Sequence, residues 1–353
     1  MKPTLSPSIF IVLLIFLALF QIGPVYAEVE MEDFATFNKP VGLAWTSSGF
    51  IASSRNDETK LVTISLDGKT VEPFAPSFSG EGEVYIAISH GKAGFPEEYI
   101  YVSSGNSIYK IDPSGSDVKL FSTPFEEMGL GYIAFDTVGT WDHLLYAVNY
   151  NGLLWAIDSG GNANLIVDLG NDLLPESIAV APEDFGDFGG DLIISLEMGR
   201  KVIAISDEDP SQVTVLAEFP GESPERVLVI PADSNLYLAK YEENVVVKIP
   251  AGHFSGYVGG LVVITEGEAG EPGSITLLQA DEGVITIVKM AEGIENPHFE
   301  GAVFVPVTAT STVTTVMTVQ AFSLNALLII GVTVVAVVIL AVVFVMRRRG
   351  RKE

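Results

Sequence analysis

The sequence predicts an all-β protein, a six-bladed β-propeller, with a signal peptide at its N-terminus and one transmembrane helix at its C-terminus. Short apolar runs recur about every ten to fifteen positions, and Gly, Asp, Asn and Pro separate them. The runs fall into four types that repeat in a fixed order along the chain. Each chain end adds an uncharged apolar stretch that does not belong to this repeat.

Residues 1–27 form the predicted signal peptide. Lys2 supplies a positive charge, residues 9–20 form an apolar stretch, and Val25 and Ala27 place small residues before the expected cleavage point. These are the three parts of a secretory signal, and the apolar stretch is short for a membrane span. An uncleaved anchor or a buried strand is the alternative interpretation.

The C-terminal residues predict a stalk, a membrane span and a tail. Residues 306–325 are Thr-rich and predict an extended stalk. Residues 326–346 carry no charge and would form a helix of about 31 Å, which matches a hydrocarbon core of about 30 Å. The basic tail, residues 347–353, marks the cytoplasmic side. We therefore predict a single-pass type I protein of the cell membrane, with residues 28–305 as a propeller ectodomain outside the cytoplasm.

The composition of the exported part limits its partners. It holds 13 basic and 44 acidic residues, hence a net charge of about −31. Such a field repels nucleic acid and favours divalent cations or basic partners, although solubility alone also explains it. The chain has no cysteine, which excludes disulfides, thiolate nucleophiles and Cys-ligated metals.

The repeat is the most informative feature of the chain. First-type runs begin at Pro40, Glu83, Leu130, Pro175, Pro224 and Phe299. Second-type runs begin at Gly49, Glu98, His143, Asp191, Asn235 and Gly260, and third-type runs at Leu61, Ser107, Leu153, Lys201, Val245 and Ser274. A fourth type follows in most units. Four strands in about 45 residues are typical of one propeller blade, so six members of each type predict six blades.

The count of blades is less regular near the C-terminus. Pro224 and Phe299 lie 75 residues apart, too far for one blade and too close for two. The run at Val245 fits either the third strand of a blade or the start of a new one, so five or seven blades remain open. The run EDFATF near the N-terminus resembles the fourth type and predicts that the chain ends close the ring. A β-sandwich or β-helix is the alternative fold.

The runs SIAVAP, DLIIS, KVIAIS and IYKIDPSG resemble six-bladed propellers of the NHL-repeat, TolB-like and gluconolactonase-like group. The resemblance covers about residues 28–307. It implies the fold but no single activity, because this group includes hydrolases, dehydrogenases and binding scaffolds. The stalk, span and basic tail resemble those of archaeal surface proteins in composition.

The resemblance also implies a functional site at the mouth of the central channel, where first-type runs begin. The sequence places Glu83, Glu176, Glu225 and Glu300 there, with Glu81 and His298 close by. Converging carboxylates repel unless they are protonated or bind a cation, and oxygen ligands favour Ca²⁺ or Mg²⁺. Gluconolactonase-like enzymes hold an axial metal with Glu, Asn and Asp, but their Asn and Asp have no match here. Coincidental glutamates on an acidic protein are the alternative.

No motif of a serine hydrolase elbow, a phosphate-binding loop or a dinucleotide fold occurs. We therefore predict a cell-surface binding or envelope-scaffold module whose partner is an envelope protein, a glycan or a small solute, and not nucleic acid. The alternative is a divalent-metal-dependent, lactonase-like hydrolase that uses the axial carboxylates.

Overall fold

A computed structural model of the chain describes residues 29–55, 60–123, 129–295 and 297–310. None of the helices among these residues is long and apolar enough to cross a membrane. The predicted signal peptide, membrane span and tail lie outside the described residues, as does most of the predicted stalk. Of that stalk, Pro306 ends the last strand and a short helix, α1 (Val307–Thr310), follows it.

The described chain forms six antiparallel sheets of four strands each, which confirms the all-β, six-bladed propeller. Four blades follow the chain in order. Blade 1 contains β2 (Pro40–Thr46), β3 (Gly49–Ser54), β4 (Leu61–Ile64) and β5 (Val71–Phe74), and blade 2 contains β6 (Ile86–Ile88), β7 (Ile100–Ser104), β8 (Ser107–Ile111) and β9 (Val118–Ser122). Blade 3 contains β10 (Leu130–Phe135), β11 (Leu145–Asn149), β12 (Leu153–Ile157) and β13 (Ala163–Asp168), and blade 4 contains β14 (Pro175–Val180), β15 (Leu192–Leu196), β16 (Lys201–Ile205) and β17 (Val213–Glu218).

The last two blades exchange chain segments. Blade 5 contains β18 (Pro224–Val229), β21 (Leu261–Thr265), β22 (Gly273–Asp281) and β23 (Val284–Ile294). Blade 6 contains β24 (Phe299–Pro306), β19 (Ser234–Lys240), β20 (Val245–Ile249) and β1 (Glu32–Thr36). The β19–β20 hairpin is thus inserted between the first two strands of blade 5 and lies in blade 6. Two 3₁₀ turns, Gly186–Phe188 and Ala251–His253, lie in connecting loops.

This insertion explains the interval of 75 residues and corrects the apparent order of the repeat. In sequence, the runs at Asn235 and Val245 follow the first strand of blade 5. In space they pair with β24 of blade 6, whereas β18 pairs with β21. Val245 begins the third strand of its blade rather than a new blade. The backbone of Ile230 and Gly260 closes the base of the insertion through a hydrogen bond of 2.9 Å.

The ring closes through blade 6. The inner strands β2, β6, β10, β14, β18 and β24 contact one another in that order, and β24 contacts β2. Strand β1 forms the outer edge of the blade whose inner strand is the C-terminal β24, as the N-terminal run predicts. Three separate chain segments therefore build this blade.

The first and the last residues of the propeller chain lie at the same face of the ring. Each inner strand begins at one end of the channel, which we call the mouth, and β24 therefore ends at the opposite face. Strand β1 begins there too, because Glu32 pairs with Lys248 near the end of β20 whereas Thr36 pairs with Val245 at its start. The chain thus enters and leaves the propeller at the face opposite the mouth.

The core consists of six apolar clusters, one between each pair of adjacent blades. Alternate residues of a strand point to opposite faces of its sheet, so one strand supplies two clusters. In β19, Tyr237 packs towards blade 1, while Leu236 and Leu238 pack towards blade 5. The clusters hold adjacent blades together, and the two ends of the channel lie outside them.

Candidate functional site

The mouth of the channel is a cavity of about 380 Å³ to which every blade contributes. The first strand of each blade begins at the mouth, and the second strand of each blade ends there. The lining residues are Arg55 from blade 1, Glu83 and Tyr85 from blade 2, Tyr150 from blade 3, Leu174, Glu176 and Glu197 from blade 4, Glu225, Glu266 and Glu268 from blade 5, and His298 and Glu300 from blade 6. The structure thus brings all four glutamates predicted from the sequence to one cavity.

Three of these four glutamates occupy β-bulges. The pairing of β14 with β15 skips Glu176, and that of β18 with β21 skips Glu225. Glu300 lies in the same kind of register shift between β24 and β19. A bulge leaves one residue out of the ladder and redirects its side chain, which is why bulges are common next to functional sites. Each of these glutamates is buried, yet each lines the cavity.

A second set of lining residues comes from the ends of the second strands. The residue that directly follows this strand is Arg55 in blade 1, Tyr150 in blade 3, Glu197 in blade 4 and Glu266 in blade 5. In blade 6 it is Tyr241, whose ring stacks on His298 at 4.5 Å between centroids. Sequence reasoning missed this set, although the second-type runs DLIISLE and GLVVITE both end in these glutamates.

Glu83 contacts three side chains, which come from blades 1, 2 and 3. Its Oε1 lies 2.7 Å from Nη1 of Arg55. Its Oε2 accepts hydrogen bonds of 3.0 Å from the hydroxyls of Tyr85 and Tyr150. The Tyr85 hydroxyl also lies 3.3 Å from Oε2 of Glu176. Both carboxylate oxygens of Glu83 are therefore already paired with side chains of blades 1, 2 and 3.

His298 lies between two carboxylates. Its Nε2 is 3.1 Å from Oε1 of Glu266 and 3.3 Å from Oε1 of Glu300. Burial lowers the pKa of His298, but the hydrogen bonds to these carboxylates outweigh it and raise the pKa to about 10. The ring is therefore protonated at neutral pH. Its backbone φ is 43°, a conformation uncommon for a residue other than glycine, and its side chain lines the mouth.

Burial and mutual repulsion oppose the ionisation of the carboxylates at the mouth. Burial raises the pKa of Glu176 and Glu225 well above the ordinary range, although the positive charge of Arg226 opposes that shift. Burial raises the pKa of Glu197 to about 7, and nearby glutamates add to this effect. The pKa of Glu300 also rises to about 7, chiefly through burial. A cation in the cavity would relieve this repulsion.

Three groups of side chains are close enough together to hold a metal ion. Their ligand atoms lie within 4.8 Å of one another. The groups are Glu176, Glu197 and Glu225; Glu197, Glu266 and Glu268; and Glu266, His298 and Glu300. The first two contain only carboxylates, the ligand type that Ca²⁺ and Mg²⁺ prefer. The third contains His298, which has to lose its proton before it can bind a metal.

Comparisons with known proteins show the fold. No protein-family model matches the chain, and no curated protein matches its sequence. A nidogen/laminin complex matches with a TM-score of 0.51 and 15% identity, over 75% of this chain and 84% of the other. A streptogramin B lyase matches with a TM-score of 0.50 and 13% identity, over 79% of this chain and 92% of the other. At such low identities these similarities concern the propeller alone.

Proposed function

We propose that this protein is a binding module of the cell surface and that it binds its partner through a divalent cation at the mouth of the propeller. The observation that carries the proposal is the charge of the cavity. Seven glutamates line it, and among the described lining residues only Arg55 and His298 are basic. With Arg226 beneath the cavity, three positive groups face seven carboxylates. Two carboxylates about 5 Å apart repel by roughly 3 kcal/mol at an effective dielectric constant near 20.

The geometry favours Ca²⁺ or Mg²⁺ as the counter-charge. Three atoms that lie at most 4.8 Å apart are at most about 2.8 Å from their common centre. Ca²⁺ binds oxygen at about 2.3–2.6 Å, so a small inward movement of the carboxylates completes the contacts. Glu176, Glu197 and Glu225 are the best candidates, because they form an all-carboxylate group with two buried members.

The size of the cavity leaves room for more than an ion. A volume of about 380 Å³ corresponds to roughly a dozen waters at about 30 Å³ each. A bound cation would thus keep free positions for the oxygen atoms of a partner, such as an envelope protein, a glycan or a small solute. The streptogramin B lyase and the nidogen/laminin complex share this fold, so the fold is compatible with both binding and catalysis.

The positions of the chain ends support a surface role. The chain leaves the propeller after Pro306 at the face opposite the mouth. If residues 326–346 anchor the protein as the sequence predicts, the attachment begins at that opposite face.

A metal-dependent, lactonase-like hydrolase is the second candidate. What favours it is the burial of Glu197 and Glu300 among other carboxylates at the mouth, which raises the pKa of each to about 7. A carboxyl group with a pKa near the working pH can both take up and release a proton, which is what general acid–base catalysis requires. Lactone hydrolysis by the cation-loaded protein, lost in Glu197→Gln, would support this candidate.

The experiment that tests the proposed function is elemental analysis of the purified, dialysed protein, followed by melting with and without a chelator. We expect one tightly bound divalent ion, lost in the double variant Glu176→Gln, Glu225→Gln. The control is Glu72→Gln, which changes an exposed carboxylate of β5. Absence of any ion, together with a melting temperature that a chelator does not change, would contradict the proposal.

A further inference from the structure

We propose that Arg226 is the positioning residue of the mouth, and that it holds the three bulge glutamates in the geometry that binds the cation. This inference rests on the proposed function. Arg226 is the residue after the bulge in β18, and its side chain is 0% exposed. It lies beneath the carboxylates rather than among the residues that line the cavity.

The guanidinium group fixes the backbone of two bulges. Its Nη1 donates hydrogen bonds to the backbone carbonyl of Glu176 and, at 3.2 Å, to that of Glu225. These carbonyls belong to the residues that the strand pairing skips. A bulge carbonyl is no longer tied into the regular ladder, so a fixed donor beneath it determines where its carboxylate points.

The same group contacts the carboxylates themselves. Nη2 lies 2.9 Å from Oε1 of Glu225 and 3.9 Å from Oε2 of Glu300. Arg226 thus reaches all three bulge glutamates, two through their carbonyls and two through their carboxylates. These glutamates belong to three different blades, so one side chain coordinates their positions.

Two tyrosines keep the guanidinium in place. Its Cζ lies 4.5 Å from the ring centroid of Tyr85 and 4.8 Å from that of Tyr132. Tyr85 lines the mouth, whereas Tyr132 lines an apolar cavity of about 240 Å³ bounded by residues at the far ends of inner strands. Arg226 therefore forms a floor between the acidic and the apolar parts of the channel.

Stability alone does not explain an arginine at this position. Its Nε is buried and makes no hydrogen bond within the described part of the chain, and its Nη2 has only the ion-pair contacts with Glu225 and Glu300. Unsatisfied buried donors destabilise a protein, and replacing a buried ion pair by apolar residues is often neutral or stabilising. The equivalent residues of the other inner strands are Gly42, Tyr85, Tyr132, Ser177 and Gly301. Only blade 5 has a charge here, directly beneath the glutamates.

The test uses Tb³⁺ as a luminescent substitute for Ca²⁺. Lifetimes in H₂O and D₂O give the number of waters on the bound ion, which reports how many protein ligands remain. In Arg226→Met we expect binding weakened by about 10- to 100-fold, as for other residues that orient metal ligands, and at least one additional bound water. Because Arg226→Met leaves the buried Glu225 carboxylate without its partner, the melting temperature without ion should also fall, so binding and hydration are measured well below it.

Two further variants make the result specific. Arg226→Lys keeps the charge but lacks the planar fork, in which Nη1 donates to the two carbonyls while Nη2 contacts the carboxylates, so we expect an intermediate affinity. If Arg226→Met fails to fold, Arg226→Lys decides the question by the same two measurements. Arg200→Met is the control, because it removes an arginine at the same interface between blades 4 and 5 that pairs with Glu271.

The outcomes separate the two proposals. If the wild-type protein binds Tb³⁺ and both Arg226 variants match its affinity and hydration, the role of Arg226 is wrong and the cation site stands. If the wild-type protein binds neither Tb³⁺ nor Ca²⁺, both proposals are wrong.

Discussion

Lys248 of β20 lies opposite Glu32 of β1, and their side chains form an ion pair of 2.8 Å. This pair joins the N-terminal strand to a hairpin inserted far along the chain. Both side chains are partly exposed, so the pair itself adds little stability, about 0–1 kcal/mol. The closure depends instead on Ala35, the buried residue of β1, which packs at the interface between blades 6 and 1.

We predict that Ala35→Asp destabilises the protein strongly. The change places a charge in an apolar interface without a partner, which costs about 3 kcal/mol or more. Thermal unfolding should show a decrease of about 6 °C or more in the melting temperature. The control, Glu32→Gln, should lower it by less than about 2 °C. Equal effects of the two changes would contradict a closure that depends on burial.

The sequence predicts the strands of blades 5 and 6 but not their partners. In the runs at Asn235 and Gly260, successive side chains point alternately to two apolar faces. Both runs fit the second strand of a blade, so the pattern allows either of them to pair with β18. The structure pairs β21 with β18 and β19 with β24. That choice depends on contacts between distant segments, which strand periodicity does not encode.

A second prediction concerns the close approach of neighbouring inner strands. A Cβ on Gly301 would lie 2.1 Å from the carbonyl oxygen of Val41 in the next blade. Gly301→Ala must therefore push β24 away from β2 and should cost about 1–3 kcal/mol. Denaturant unfolding measures this loss. Gly256→Ala is the control, because nothing lies within 4 Å of its Cβ position; a similar loss there would argue against steric overlap as the cause.

The third prediction concerns how the stability contributed by the ion pair between blades 4 and 5 depends on pH. Arg200 binds Glu271 through two contacts, of 3.0 and 2.5 Å. The hydrogen bond from Arg200 lowers the pKa of Glu271 below its usual value. A lowered pKa in the folded state adds stability above the unfolded pKa of about 4.3 and loses it as the pH falls through the folded value.

Arg200→Met should therefore destabilise the protein at pH 7 by about 0.5–1 kcal/mol, since the pair is partly exposed, and by less at pH 3. Melting temperatures of both proteins at the two pH values, without divalent ions, measure the difference. Lys119→Met, which removes a more exposed pair with Asp117, is the control. A loss that is independent of pH would show that Arg200 acts by packing alone.

About half of the candidate site could be predicted from the sequence. Alignment of the first-type runs places Glu176, Glu225 and Glu300 at equivalent positions, and the structure brings them together. Glu197 and Glu266 were predictable in the same way from the residue after each second-type run. The contacts of Arg226 were not, because they depend on bulges whose presence and direction are set by strand pairing across the ring.

The fourth prediction ranks Glu197 and Glu268 by their contribution to Ca²⁺ binding. Glu197 belongs to two of the three groups that can hold a metal, whereas Glu268 belongs to one and is exposed. Glu197→Gln should therefore weaken Ca²⁺ binding at least tenfold, about 1.4 kcal/mol, and more than Glu268→Gln does. Isothermal titration of the two variants and the wild-type protein decides this. A larger effect of Glu268→Gln would move the site towards Glu266.

The last prediction tests whether a partner binds at the mouth. Met198 directly follows Glu197 and is 64% exposed at the rim, and the chain contains no cysteine. Met198→Cys therefore creates a single site for a bulky maleimide. We expect the label to block pull-down of partners from an envelope extract while Ca²⁺ binding stays within about twofold, because an ion passes where a macromolecule does not.

The same label on Leu120→Cys, at an exposed position of the outer strand β9, should leave both unchanged. Partner binding that survives the Met198 label but not the Leu120 label would place the interaction on the outer strands and leave the mouth for a small ligand.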